Sequence, residues 1–509
     1  MPSFLGIDSG LTVTKAVLFD VDGTQIAVAR RRVPQHIPKA KWVERDMLGL
    51  WFATAEAIRE AIQKSHRSAR DILGVSVTAH GDGIYLLDRD GKPVRAGILS
   101  LDSRAGEQVR AWQSDGKSQS ALVLTGQVPH VSAPSALLAW IKAYEPDNYR
   151  RIAHVLSCKD WLRYCLCAQI GTDRTEASTS FTDVHTQQYS SAAMSLYGLE
   201  HIESALPDIH DSSEIVGEVT QTSAQLTGLC LGTPVVAGLH DVTASALGIG
   251  GQKSNMVDIV AGTYSINEIV SEAPIVDGQW FCRNGLSDGQ WNNMAISPAS
   301  SANYDWFLDT LCGADKSLAA TEGTDIHNSI AAEMQPALTN PSSLLFHPYL
   351  FGSPYGDEAS GSFLGLRAWH DRGHMLAAVL EGIAFNHRVH VEALKTAFSF
   401  HEARLTGGVS RHPVFAQLFA DILGLPVHVL NTDESAAFGA VLCAGVGAGV
   451  YKHPHDDPRD LSALTTSYYP DVQKKPIYEE KFQLFHQLTI SLNNAWLDIE
   501  RFAKQQDRA

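Results

Sequence analysis

Two stretches of this chain share one pattern: a short apolar strand, a tight turn with glycine and threonine, and a second strand leading away. The first spans Phe4 to Phe19 and turns at Ser9-Gly10; the second spans Met256 to Val270 and turns at Gly262-Thr263. The likeness is too short to establish a repeat. It still constrains the fold, because each hairpin presents backbone amides and hydroxyls at its tip, and two of them suggest two related halves.

Around these hairpins strands and helices alternate, the signature of α/β layering. Asp20-Val21-Asp22-Gly23 is a hairpin turn that returns a third strand from Thr24 to Arg31. Leu50, Trp51, Ala55 and Ile58 fall at helical spacing and predict a helix from Met47 to about Lys64. Ile72 to Thr78 reads as a buried strand. The pattern restarts with an apolar strand at Pro234 to Leu239, then Asp241, then small residues from Ala244 to Gly251. Those glycines place a boundary near 247–252, which divides the chain into 1–247 and 248–509. Pro454 to Arg459 reads as a surface loop. Ile477 to Lys504 is expected as a closing amphipathic helix, with Phe482, Phe485, Leu488 and Leu492 on one side.

Composition narrows the function. The 509 residues allow three to four domains by length, or two large ones, at about 150 residues per domain. A hydrophobic share of 44% and a charged share of 19% suit a globular enzyme. The formal net charge is -16 with no basic tract, which argues against a sequence-independent nucleic-acid binder. It does not forbid a phosphate ligand, since backbone amides and a bound cation can hold one. No apolar run is long enough to span a bilayer, and Asp8 stands where a signal peptide needs its apolar stretch. The seven cysteines are scattered without a C-x-x-C pair, which favours a reducing compartment, and Cys165 and Cys167 read as small core residues. A cytoplasmic address is the expectation.

Five clusters carry candidate chemistry. In Gly6-Ile7-Asp8-Ser9-Gly10-Leu11-Thr12-Val13-Thr14-Lys15, Gly10 permits close approach to a ligand, Thr12 and Thr14 offer hydroxyls, and Lys15 offers charge. Asp8 could hold a hydrated Mg²⁺ bridging phosphates; the alternative is a plain turn capped by Asp8. Gly262-Thr263-Tyr264-Ser265 is a simple hairpin alone and a second phosphate loop when paired with the first. In Gly238-Leu239-His240-Asp241 an acid follows a strand, where a general base belongs; equally, Asp241 could cap a helix beginning near Thr243. His80, with Gly81, and Asp102 with Arg104 lie at strand ends and could meet sugar hydroxyls; Arg104 could instead pair with Asp102. Gly407-Gly408 before a helix could let an adenosine lie on the backbone, or be an ordinary turn.

These residues, in this order, resemble the FGGY family of carbohydrate kinases. The most specific match is Gly361-Ser362-Phe363-Leu364-Gly365-Leu366, then seven residues, then His374 to Glu381, where every constrained position fits. The resemblance runs from Leu5 to about Tyr451. It implies an α/β fold of two actin-like (ribonuclease H-like) ATPase domains with an interdomain cleft, using ATP and Mg²⁺. By resemblance Asp8 lies in the Mg²⁺–phosphate hairpin with Gly10, Thr12 and Lys15, and Gly262 and Thr263 form the second. Asp241 is similar to the catalytic base. Gly407 and Gly408 match the adenosine loop with His412 near the adenine, and Ser301, Ala302 and Asn303 match the adenine pocket. His80, Gly81, Asp102, Arg104 and Asp241 resemble the substrate-binding set.

Among subfamilies, Trp42 to Met47, Thr78-Ala79-His80-Gly81-Asp82-Gly83, Ser100 to Arg104 and Cys158 to Leu162 look most like L-xylulose kinases, with erythritol and D-xylulose kinases next. Leu11 stands where many members carry Thr, His80 where some L-xylulose kinases carry Gln, and Ala136 where Lys is usual. The expectation is an ATP-dependent kinase of a small ketose, most of all a pentulose, with a sugar or polyol as partner, no nucleic acid or membrane, and a homodimer allowed. The competing readings are phosphorylation of another small hydroxy compound such as a signalling ketone, and a non-catalytic nucleotide-gated sensor.

Overall fold

The computed structural model describes residues 1–356 and 358–506. By their internal contacts they form two compact units. The first comprises Met1–Gln252, Val270–Asn293 and Thr432–Leu461; the second comprises Lys253–Ile269, Met294–Asn431 and the chain from Ser462 on.

In the first unit the strand Ser3–Ser9 lies at the centre of a mixed sheet. It pairs antiparallel with Val13–Asp20, which pairs with Gln25–Arg32, and parallel with Ile72–Ala79. Pro234–Val236 and Leu239–His240 run parallel to the far side of Ile72–Ala79. Alternating side chains serve two faces, as a strand's period of two requires. Leu5, Ile7, Leu18, Val75 and Val77 pack with Trp51 and Ile58 of the helix Met47–Ser65. Phe4, Val17 and Phe19 pack with Leu247, Phe438 and Val441 from the helices Asp241–Gly248 and Ser435–Gly447. Three layers result, with helices on both faces of a largely buried sheet.

The glycines near the expected boundary also serve packing. A Cβ on Gly248 would lie 1.9 Å from the Ser435 carbonyl oxygen, and one on Gly439 would lie 2.0 Å from that of Ala244. Their absence lets the two helices meet backbone to backbone. That contact keeps the chain through Gln252 in the first unit and draws Thr432–Leu461 back to it. Pro454 to Arg459 is likewise more than a surface loop: Arg459 donates to the Gly248 carbonyl oxygen at 2.7 Å and stacks on Phe438.

In the second unit Met256–Ala261 pairs antiparallel with Ser265–Ser271 and parallel with Glu402–Thr406, which pairs parallel with Val427–Leu430. The helix Arg372–Lys395 packs between Ile326–Thr339 and Pro413–Leu423. Its buried Glu381, the last residue of the family-like segment, ion-pairs with Lys481 of the closing helix Lys475–Gln506. Phe485 of that helix is buried, with Phe482, Leu488 and Leu492 partly so. Cys167 is buried, Cys165 packs half-buried against the core, and burial pushes both thiols up. No described helix is long and apolar enough to cross a membrane.

Candidate active site

Three strand ends in the first unit align. Ser9 pairs with Ala79, and His240 pairs with Ala79 on the other side. The residues just beyond, Gly10, His80-Gly81 and Asp241, therefore gather at the carboxyl edge of parallel strands, where α/β folds place their ligands. The His80 N–H donates to the Ser9 carbonyl oxygen at 3.0 Å and locks two of these ends together.

Asp241 does not cap its helix. His240 holds the N-cap position, its Nδ1 accepting from the Val242 N–H at 3.3 Å. Asp241 is the first helical residue, and its carboxylate lies by the backbone N–H groups of Val242 and Gly81, with His240 Nδ1 at 3.3 Å from Oδ1. Burial pushes this carboxyl up to about 7, and the Asp8 charge adds to the rise; backbone N–H groups of Val242 and Gly81 oppose it. The side chain keeps 31% of its surface, so solvent tempers the burial and puts 7 at the upper end. A carboxylate of this kind is both reachable and basic enough to take a proton near neutral pH.

A buried ionic network fixes the turn from beneath. Lys159 Nζ lies 2.5 Å from Asp160 Oδ1 and 3.1 Å from Asp173 Oδ1, and donates to the Ala237 carbonyl oxygen at 3.2 Å. Thr175 Oγ1 donates to Asp173 Oδ2 at 2.6 Å and accepts from the His240 N–H at 2.9 Å. These charges are fully enclosed, so removing one partner would strand another at a cost of about 3–5 kcal/mol.

His80 and His240 are buried, which lowers them to about 3 and about 4, so both imidazoles are neutral at pH 7. His80 Nε2 lies 3.3 Å from the Tyr85 hydroxyl. A Cβ on Gly81 would fall 1.8 Å from His240 Nε2, so Gly81 makes room for that ring. Asp102 and Arg104 are spent largely on each other. Asp102 accepts Arg104 Nε at 2.9 Å and the Val43 N–H at 2.6 Å, and Arg104 Nη2 reaches Glu44 at 2.7 Å. The pair thus takes the salt-bridge alternative, and only Arg104 Nη1 is buried without a partner. Arg104 also stacks on Trp42.

At the hairpin, the Gly10 N–H donates to the Val13 carbonyl oxygen at 2.9 Å and Thr12 is exposed at the tip. Lys15 differs from the expectation of a free charge for phosphate. Its Nζ lies 3.2 Å from Asp8 Oδ2 and 2.9 Å from Glu434 Oε2. Burial alone would lower Lys15, but these two carboxylates outweigh it and raise it. Asp8 faces Lys15 across the strand pair. Among the described residues no group of three or more His, Cys, Asp or Glu could hold a metal. A lone, partly exposed Asp8 fits Mg²⁺ that keeps waters and takes phosphate oxygens, rather than a protein cage.

The second unit builds its site from backbone. Gly262-Thr263 and Gly407-Gly408 follow the neighbouring parallel strands Met256–Ala261 and Glu402–Thr406. Gly407 has φ +116°, and a Cβ there would lie 2.2 Å from the Ala261 carbonyl oxygen; a Cβ on Gly408 would meet open space. Ser301 donates from its N–H to the Gly262 carbonyl oxygen at 2.9 Å and from Oγ at 2.5 Å, which ties the two loops into one. Asn303 is fully buried, its Oδ1 accepting from the Leu350 N–H at 3.3 Å, so it shapes the wall. Gly408 and His412 line a cavity of about 370 Å³ with Tyr304, His327 and Phe415, within the ~300–1,000 Å³ range of ligand pockets. Tyr304 and His327 stack there at 5.8 Å between centroids. A wider hollow of about 690 Å³ in the first unit, lined by His36, Arg45, Lys92 and Trp161, holds none of the expected site residues.

Several residues escaped the sequence reading. Arg45 is buried and donates to the Gly10 and Leu11 carbonyl oxygens, pinning the hairpin. The run Trp42 to Met47 drew notice only as a likeness. Asp82 stood in the reading between two glycines without a role. His130, Arg283, Tyr304 and His327 had no local signal.

Comparison with known proteins identifies the family. Residues 3–248 match the N-terminal domain of the FGGY family of carbohydrate kinases, and residues 257–448 match its C-terminal domain. The chain is 34% identical to the L-xylulose/3-keto-L-gulonate kinase of Escherichia coli (strain K12), over 96% of this chain and 97% of that one. It resembles the crystal structure of xylulose kinase from Rhodospirillum rubrum at 27% identity and TM-score 0.84, covering 97% and 99% of the two chains. The ligand-bound xylulose kinase from Lactobacillus acidophilus, at 21% identity and TM-score 0.87 over 98% and 100%, shares the fold. The two-unit architecture is the actin-like one of these kinases, and the chain belongs to the FGGY family of carbohydrate kinases, enzymes that phosphorylate sugars with ATP.

Proposed function

We propose that this enzyme phosphorylates a terminal hydroxyl of a small ketose, with L-xylulose as the leading substrate. The observation that carries the reading is Asp241: a carboxylate raised toward neutrality, at the carboxyl edge of a parallel sheet, beside His80, Gly81 and the Asp8 hairpin. The sugar binds the first unit, with neutral His80 and the Nη1 of Arg104 meeting hydroxyls. The nucleotide's base occupies the His412–Tyr304 cavity of the second unit, beside the Gly262-Thr263 loop of the same unit.

As the terminal hydroxyl oxygen bonds to the γ-phosphorus, its proton passes to Asp241 and the bond to the ADP oxygen breaks. Lys15, held by Asp8 and Glu434, keeps positive charge at the hairpin. Asp8 would hold a hydrated Mg²⁺, which would supply charge neutralisation at the phosphates. No covalent enzyme intermediate is required.

The Escherichia coli relative is named for both a neutral ketopentose and a sugar acid, so both classes belong in the test. ADP release is measured with L-xylulose, D-xylulose, erythritol and 3-keto-L-gulonate. L-Xylulose is expected to give the highest kcat/KM. A panel in which no compound stimulates ADP release would overturn the proposal and favour a nucleotide-gated sensor.

A further inference from the structure

Asp82, His130, Phe281 and Arg283 meet near the reacting end with no part in the chemistry above. Asp82 has φ +55° between Gly81 and Gly83, a left-handed backbone that aspartate tolerates better than most residues and that still carries some strain. Arg283 Nη2 donates to Asp82 Oδ1 at 3.1 Å, and His130 Nε2 lies 3.3 Å from the same oxygen. Arg283 Nε donates to Gln127 Oε1 at 3.0 Å, and the Arg283 side chain is 2% exposed. Phe281 lies under the guanidinium at 4.9 Å and stacks on His130 at 5.7 Å.

This cluster lies within electrostatic reach of the base. Asp82 acts on His80, His240 and Asp241, and Arg283 acts on His240. Burial works against ionisation of Asp82, yet Arg283 and His130 outweigh it and hold the carboxyl well below the usual range. Asp82 is therefore an acceptor throughout the working pH range.

An arginine beside a sugar site is the natural fork for a substrate carboxylate. Here two of its donor positions are taken, by Asp82 and by Gln127. A substrate carboxylate arriving at this side would meet the like charge of Asp82. A hydroxyl would find an acceptor, since the cations share one oxygen and a carboxylate accepts on both.

Resting on the reading of Asp241 as base at a sugar site, we propose that the Asp82–Arg283 pair sets the substrate class: Asp82 accepts hydroxyls of a neutral ketose and withholds Arg283 from the carboxylate of a keto-aldonate. Asp82 is a specificity residue in this scheme, separate from the phosphoryl chemistry.

The test measures kcat/KM for L-xylulose and 3-keto-L-gulonate in wild type, Asp82→Asn and Asp82→Gly, with thermal unfolding recorded for each. Glycine suits the left-handed backbone, so Asp82→Gly keeps the test sound if asparagine disturbs the fold. Wild type is expected to favour L-xylulose by at least about tenfold. Each variant should move that ratio toward the acid by about tenfold or more, mainly by lowering KM for the acid, because an uncompensated guanidinium gains roughly 1.4 kcal/mol per tenfold. Adding Arg283→Met to either variant should erase the gain. An unchanged ratio in the folded variants, or parity in wild type, overturns the inference and leaves the kinase reading standing. Failure of wild type on both compounds overturns the inference, and failure on D-xylulose and erythritol as well overturns the kinase reading with it.

Discussion

The two candidate turns are built from different materials. The Asp241 turn of the first unit is surrounded by charge: Lys159, Asp160 and Asp173 below, Asp8 beside it, and Asp82 with Arg283 nearby. The Gly407-Gly408 turn of the second unit is nearly bare, with one glycine pressed on the Ala261 carbonyl and the next open to a cavity walled by His412 and Tyr304. Proton transfer needs one group held in place with a tuned affinity for its proton, which takes a rigid ionic frame. A nucleotide brings its own charge and flat surface, and needs room and backbone amides. Substitutions should therefore act through electrostatics in the first turn and through space in the second.

The sharpest break of that contrast is steric. Gly407→Val puts a β-branched side chain at φ +116° and against a carbonyl oxygen, at a cost of roughly 3 kcal/mol or more. Thermal unfolding should fall markedly and ATP-dependent activity should be lost, while Gly408→Ala unfolds near the wild-type temperature. Equal effects at the two glycines would end the spatial account.

The first turn should answer to pH. Protonated Asp241 cannot accept a proton, and its carboxyl is pushed up to about 7. The sugar kcat/KM is thus expected to fall as pH drops below about 7, approaching tenfold per unit. A profile flat down to pH 5.5 would show that this carboxyl is not raised in the working enzyme.

The mildest effect belongs to the base pocket. His412→Ala removes one ring from the cavity wall and should raise KM for ATP about fivefold, as expected for roughly 1 kcal/mol of aromatic contact, with kcat held. A fall in kcat with KM unchanged would place His412 in the chemistry instead.

The hairpins, the Met47 helix and the strand before Asp241 were legible because alternation, helical spacing and glycine turns are local signals. Asp241 and Gly408 could be singled out because each follows a strand. The frame around them was not legible. Arg283 and His130 reach Asp82 from positions far along the chain, and no spacing rule announces such a meeting. Gly248 shows the same limit: that it lets two helices meet backbone to backbone is hidden until the partner helix Ser435–Gly447 is in place. The sharing of Lys15 with Glu434 was hidden as well, because Glu434 lies far along the sequence.

The most direct test of the whole account is sugar-dependent ADP release by Asp241→Asn, with ATP affinity and thermal unfolding measured on the same preparation. A raised aspartate binds its proton more tightly in the folded chain than in the unfolded one, so ionising it above about 7 weakens the fold, and asparagine is not expected to lower the unfolding temperature at pH 8. The account predicts kcat reduced at least about a hundredfold with ATP affinity unchanged. Turnover close to wild type in that folded, nucleotide-binding variant would contradict it.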